Sequence, residues 1–336
     1  MGRQHLHRRT VSTGDLQLGL IGAGRWGRNY IKTIQELDGV QLHRLASRNP
    51  QSRAWVGRNC AISENWQDVA TAADLDGVII AAPPDHHAKM ALAAIAAGIP
   101  VLIEKPLTLD VAQARTLQSL AESKQAIVLV DHIHLYHPAF KELKRQALDL
   151  GVLQSMRSAG GDWGPFRGDV SPLWDWAGHD LALCLDLLGH MPLSLSATVK
   201  ESRQVSEGLG QILSIKLNFS NGVVADIECG NIMDPKKRFL AAHYDHETLI
   251  YDDLSATPLV RQPRADGPGC DPVHGQVIDV AQKTPLTSVI EAFAAAIGRA
   301  SADFSDVQLG VKVIQLLANC EASLRQGSLV DGLDAQ

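Results

Sequence analysis

The chain has 336 residues, room for two domains of ordinary size, and its 45% hydrophobic and 20% charged residues are the balance of a globular protein with material for two cores. A formal net charge of −6 leaves no basic excess to neutralise phosphates, which argues against nucleic acid as a partner. No run of 18 apolar residues marks a membrane span. The five cysteines, at 60, 184, 229, 270 and 320, include no Cys-x-x-Cys pair, so reduced thiols and a cytoplasmic setting are expected.

Residues 1–14, with Arg3, Arg8 and Arg9 and no apolar run, read as a disordered, solvated tail. From Leu16 to Val130, short apolar runs alternate with amphipathic stretches. The runs Leu16–Ile21, Val40–Leu45, Gly77–Ala82, Val101–Glu104 and Ile127–Val130 predict strands. Ile31–Leu37, Ala88–Ala97 and Val111–Ser123 predict the crossover helices that parallel strands need. The expected fold class is α/β: a Rossmann doubly wound parallel sheet over 15–135, then an α+β domain over 136–336 with a largely antiparallel sheet.

The first strand runs into Gly22-Ala-Gly24-Arg25-Trp26-Gly27, a Gly-x-Gly-x-x-Gly that opens a helix. Gly22 suits a tight turn, Gly24 lets the backbone approach a pyrophosphate, and Gly27 allows close helix–strand packing, with Arg25 and Trp26 between them. At the end of the second strand, where a carboxylate would bind the ribose 2′-hydroxyl of NAD, the chain has Ser47-Arg48-Asn49. Ser47 and Arg48 suit a 2′-phosphate, so NADP is the expected cofactor and NAD the alternative. Glu104-Lys105-Pro106 ends another strand at the edge where such sheets bind ligands. A lysine there can hydrogen-bond a substrate hydroxyl or assist proton transfer, or simply end the strand at the surface.

The glycine loop, the Pro83-Pro84-Asp85-His86-His87 segment and Glu104-Lys105-Pro106 together resemble the Gfo/Idh/MocA oxidoreductases, relatives of glucose–fructose oxidoreductase and inositol dehydrogenase. The resemblance extends over about residues 15–325 and implies that Pro83, His87, Glu104 and Lys105 belong to the cofactor site. Ala82 stands where the family commonly has Thr.

Beyond residue 138, Pro138–Leu150 predicts a linking helix, and Leu193–Glu201, Ile212–Phe219, Val223–Glu228 and Phe239–Tyr244 predict strands. Asn221-Gly222 marks a hairpin between two of them, 258–274 reads as a surface loop, and two helices close the chain. In Trp174-Asp175-Trp176-Ala177-Gly178-His179-Asp180, Asp175 and His179 are four apart and share a face if helical. A histidine there can take a hydroxyl proton while hydride leaves the same carbon, or can be an ordinary hydrogen-bonded histidine. The resemblance implies that Asp175, His179 and Lys105 form the catalytic set, and Gly178 replaces a proline common in the most similar branch.

His132, Trp163, Arg167 and Trp176 are further candidates for substrate contact. His132, His134 and His137 lack the carboxylate or cysteine that would complete a metal site, so no metal is expected. The reading that follows is an NAD(P)-dependent oxidoreductase acting on a secondary hydroxyl of a sugar, polyol or nucleotide-sugar. His179 is the acid/base, Lys105 polarises the hydroxyl, and Asp175 holds the substrate or orients His179. The chain would assemble as a homodimer or homotetramer through the C-terminal sheet. Two rivals remain: a relative that retains NAD and cleaves glycosides, and a non-catalytic dinucleotide sensor.

Overall fold

A computed structural model describes residues 15–264 and 275–333; the expected N-terminal tail lies outside these. β1 (Leu16–Ile21), β2 (Val40–Ala46), β3 (Ala61–Ser63), β4 (Gly77–Ile80), β5 (Val101–Glu104) and β6 (Val128–Asp131) form one sheet in the order β3-β2-β1-β4-β5-β6. β1 pairs in parallel with both β2 and β4, so the strand order reverses between β1 and β4. Every residue of β4 and β5 is buried, the pattern of a parallel sheet covered on both faces. The crossovers are α1 (Arg25–Glu36), α2 (Gln67–Ala70), α3 (His87–Ala96) and α4 (Val111–Lys124). α1 buries Gly27, Tyr30, Ile31 and Ile34, one stripe at helical spacing.

The second sheet has nine strands. After α5 (Pro138–Ala147) come β7 (Ser155–Trp163), a π-helical turn over Leu173–Ala177 and α6 (Gly178–Leu188). β8 (Ser194–Val205), β9 (Gly208–Asn218), β10 (Val224–Gly230), β11 (Ile232–His243), β12 (Glu247–Asp252), β13 (Leu259–Pro263) and β14 (Gln276–Val277) follow. α7 (Pro285–Arg299), α8 (Ser305–Gln326) and β15 (Val330–Asp331) complete the chain. The order is β14-β13-β12-β11-β7-β10-β9-β8-β15, antiparallel throughout except for the β10–β7 pair. The Asn221-Gly222 turn joins β9 to β10, with Gly222 at φ +82° and the Asn221 side-chain oxygen accepting from the Val223 N–H.

Strands β3, β7, β12, β13, β14 and β15 lie outside the predicted runs, and β7 and β13 show why. β7 does not read as a strand because Gly160 and Gly161 interrupt it, and the packing requires them. A Cβ on Gly161 would lie 2.5 Å from the Gly230 carbonyl oxygen, and one on Gly160 would lie 2.7 Å from the Asp180 carboxylate. Part of the expected 258–274 loop is strand β13, paired to both β12 and β14, because Leu259 and Val260 are buried while the loop signals lie further on, in 265–274 outside the described residues.

Two compact units result, and neither is continuous in sequence. One takes the chain up to Glu104 with Ser119–Leu129 and Ile290–Phe304; the other takes Lys105–Gln118, Val130–Val289 and the chain from Ser305. Within the first, Phe293 and Ile297 of α7 close over Gly77, where a Cβ would lie 2.8 Å from either side chain. Among the described residues no helix is long and apolar enough to cross a membrane.

Candidate functional site

In the first unit the glycine turn lies where the strand order reverses, at the carboxyl end of β1, the place where sheets of this kind bind nucleotides. Gly22 sits at φ +100°, and a Cβ there would lie 2.5 Å from the Ala81 carbonyl oxygen. A Cβ on Gly27 would strike the Gly22 carbonyl. Gly24 is the opposite case: a Cβ there would meet nothing within 4 Å. Gly24 also caps α1 without any side-chain hydrogen bond, so the first-turn N–H groups and the positive end of the helix are left to an external acceptor. Arg25 and Trp26 are exposed beside it. This open, uncapped turn fits the pyrophosphate of a dinucleotide.

The neighbouring strand ends supply the other candidates. The Ser47 hydroxyl is 2.7 Å from that of Ser52 and accepts from the Asn49 N–H at 3.1 Å, which fixes the turn after β2. Arg48 is exposed, and among the described residues no hydrogen bond or ion pair holds it. Pro83 precedes the short turn after β4. His87 is fully buried, and its Nε2–H donates to the Ala82 carbonyl at 2.8 Å, bracing that turn from below. Glu104 ends β5 and is 3% exposed.

The second unit gathers a different set. Lys105 Nζ donates to the Asp175 main-chain oxygen at 2.7 Å and to its carboxylate at 3.3 Å, with both side chains largely enclosed. Asp175 lies on the π-helical turn that leads into α6, a widened turn of the kind often found at functional sites. Its carboxylate also receives a hydrogen bond from Arg167 at 3.3 Å, and Arg167 is in turn paired to Asp169. Arg167 is therefore committed to two carboxylates.

His179, in the first turn of α6, keeps part of its surface accessible while its Nδ1 is enclosed without a hydrogen-bond partner. Asp175 and His179 do not hydrogen-bond each other. Burial first, then the Lys105 charge, hold the His179 imidazole well below its ordinary pKa, so the ring is neutral. His132 lies deep, with neither ring nitrogen partnered, and burial and Lys105 lower it to about 4. Trp176 joins His179 at a small cavity, whereas Trp163 is 49% exposed and packs edge-on against Phe166.

Four neighbours of His179 in that cavity are not among the predicted site residues: His134, Asp180, Arg238 and Tyr251. The His134 ring meets His179 edge-on with centroids 5.0 Å apart, and its Nδ1 is 3.1 Å from the Tyr251 hydroxyl. Burial lowers His134 to about 3. Behind it, His137 accepts the Ala139 N–H at Nδ1, which leaves its Nε2–H to donate to Asp253 at 3.1 Å; Arg238 holds the other Asp253 oxygen at 3.3 Å. His134 and Asp180 were visible as residue types in the His-x-His tract and the His-Asp pair. Arg238 and Tyr251 come from strands 59 and 72 positions away, with no local signal. Among the described residues no group of three His, Cys, Asp or Glu side chains is arranged to hold a metal.

Comparison with known proteins places this geometry. A family model described as an oxidoreductase family with an NAD-binding Rossmann fold matches residues 16–132. A crystal structure from Magnetospirillum magnetotacticum, of an oxidoreductase with no substrate named, is 40% identical. It covers 91% of this chain and 100% of its own, with a TM-score of 0.86. UDP-N-acetylglucosamine 3-dehydrogenase of Acidithiobacillus ferrooxidans is 26% identical over 89% of this chain and 94% of its own, and its crystal structure superposes with a TM-score of 0.79. Inositol 2-dehydrogenase 4 of Saccharopolyspora erythraea is 33% identical over 43% of this chain and 44% of its own.

The buried histidines make stability sensitive to acid. A histidine held neutral in the fold but free to charge when unfolded withdraws stability as pH falls below about 6.5, at roughly 1.4 kcal/mol per pH unit until its folded pKa is reached. With His134 lowered to about 3, His134→Gln should gain on the wild type by roughly that slope between pH 6.5 and 4.5. Urea unfolding at three pH values measures it; parallel stability curves would show that His134 is charged in the fold.

Proposed function

Because the chain belongs to the Gfo/Idh/MocA oxidoreductase family, we propose that it moves hydride between a nicotinamide dinucleotide and a secondary hydroxyl of a sugar, polyol or nucleotide-sugar. The observation that carries this reading is a neutral His179 set against a Lys105 ammonium that Asp175 holds in place. Polyol and nucleotide-sugar dehydrogenases among the relatives support the substrate class.

Each side chain then has one task. His179, neutral at physiological pH, takes the hydroxyl proton at its accessible ring nitrogen. Lys105 offers a positive charge to the substrate oxygen as that proton leaves. Asp175 fixes the ammonium through its carboxylate and its main-chain oxygen, and Arg167 braces Asp175. His132 and Trp176, enclosed beside this set, shape the substrate side. The bound cofactor supplies the hydride acceptor or donor. Gly22, Gly24 and Gly27 would hold its pyrophosphate, with Arg25, Trp26, Pro83, His87 and Glu104 around it.

The cofactor read from β2 is NADP. No carboxylate ends that strand, and the Arg48 guanidinium has no partner among the described residues. The chain would also form a homodimer or homotetramer through the second sheet, a reading supported by Val199 and Leu209, 45% and 46% exposed on adjacent strands. The four described cysteines are unpaired and buried, which supports a reducing compartment such as the cytoplasm.

Nicotinamide fluorescence should show NADPH binding more tightly than NADH, with Arg48→Ala removing about a tenfold preference; equal affinities would leave NAD as the cofactor. A panel that includes UDP-N-acetylglucosamine and myo-inositol should yield a turned-over compound, and Lys105→Ala should lower that turnover at least ~100-fold. Unchanged turnover would remove Lys105 from the chemistry. Analytical ultracentrifugation should find a dimer or tetramer at micromolar concentration, and a monomer there would refute the sheet interface.

A further inference from the structure

The proton that His179 takes up has to leave it again. Burial and the Lys105 charge hold the imidazole far below its ordinary pKa, so at neutral pH the ring does not retain a second proton. Its Nδ1 is enclosed and has no hydrogen-bond partner among the described residues. His179 lines a cavity of about 20 Å³, room for one water, with Trp176, Asp180, Arg238, His134 and Tyr251 around it. The Trp176 indole N–H is a second enclosed donor without a protein partner at this cavity.

Asp180 is built into that cavity deliberately by the fold. It is 5% exposed, and β7 carries glycine opposite it because a Cβ on Gly160 would lie 2.7 Å from the carboxylate. We propose that the cavity holds one water that carries the Nδ1 proton of His179 to the Asp180 carboxylate, which makes Asp180 the buried proton acceptor of the site. The inference rests on His179 being the base. As the accessible ring nitrogen gains the hydroxyl proton, the Nδ1–H bond breaks. The water takes that proton and gives one of its own to Asp180. Imidazole and water are regenerated, and only the carboxylate has become a carboxylic acid. Reduction runs the same path backward.

The other groups around Asp180 do not compete for the proton. They are His179 on α6 itself, His134 from the turn after β6, Arg238 from β11, Tyr251 from β12, Ser158 from β7 and the thiols of Cys184 and Cys229. Burial lowers His134 to about 3 and raises Tyr251 and both thiols, so none of these takes up a proton near pH 7. Arg238 is a permanent cation. Burial raises the Asp180 carboxyl to about 7, where it both accepts and releases a proton.

Asp180→Asn keeps the shape and removes the acceptor. Carbon-13 NMR of the aspartate-labelled protein should show one carboxyl titrating near pH 7 that disappears in this variant. A high-resolution crystal structure should show one water within hydrogen-bond reach of His179 and Asp180. With a compound from the substrate panel, kcat should fall about 10- to 100-fold, KM should stay within about twofold, and the kcat limb near pH 7 should vanish. Gly160→Ala, which pushes the carboxylate aside, should move the same limb. A carboxyl that titrates near pH 4, a dry cavity, or a kcat–pH profile unchanged by Asp180→Asn would each overturn the relay. If no compound is turned over, the substrate reading fails, while the carboxyl titration and the crystallographic water still decide this one.

Discussion

The positive charge of Lys105, held against the Asp175 carboxylate and main-chain oxygen, sets the conditions for the rest of the second-unit site. An ion pair this enclosed loses much of its hydration, and such a pair is stable only where further hydrogen bonds complete its partners. Arg167 does this for Asp175. Burial first, and then this ammonium, keep His132 and His179 uncharged. A cation that disfavours a second cation beside it leaves imidazole in the form that accepts protons.

The same constraint explains why the surroundings of His179 are polar yet almost uncharged. His134 is neutral and tied to a neutral tyrosine, and Asp180 is lifted toward neutrality by burial. Burial tends to raise the Asp253 carboxyl as well, but His137, His134 and Arg238 outweigh it and bring it down to about 2. Fixed charge in this region sits in two ion pairs, Lys105–Asp175 and Arg238–Asp253, while Asp180 at the His179 cavity is raised by burial to about 7. A carboxyl raised to about 7 gains and loses a proton with similar ease near neutral pH, which suits chemistry that must run in both directions.

Geometry is obtained by giving up side chains where other groups must approach. Gly22 and Gly27 let the turn after β1 close tightly, and Gly24 leaves its outer face open. In the second sheet Gly160 and Gly161 do the equivalent for Asp180 and for the β7–β10 pair, the one parallel pairing in that sheet. The functional consequence differs: the first set opens backbone N–H groups to an anion, the second seats a carboxylate under a helix.

Local pattern alone determined five of the six strands of the first sheet, the glycine turn, the Asn221-Gly222 hairpin and the closing helices, because each depends on residues within a few positions of one another; the three-residue β3 was too short to leave such a pattern. It also marked Lys105, Asp175 and His179 as residue types suited to proton chemistry, and the family resemblance joined them. Only the tertiary structure decided that β7 is a strand, since its glycines look like a loop until Asp180 and Gly230 are placed opposite them. Only it brought Arg238 and Tyr251 to His179 and turned the His132 and His134 side chains inward. Contacts across strands that are distant in the chain leave no periodicity in the sequence, and a pKa depends on what surrounds a group rather than on its neighbours along the chain.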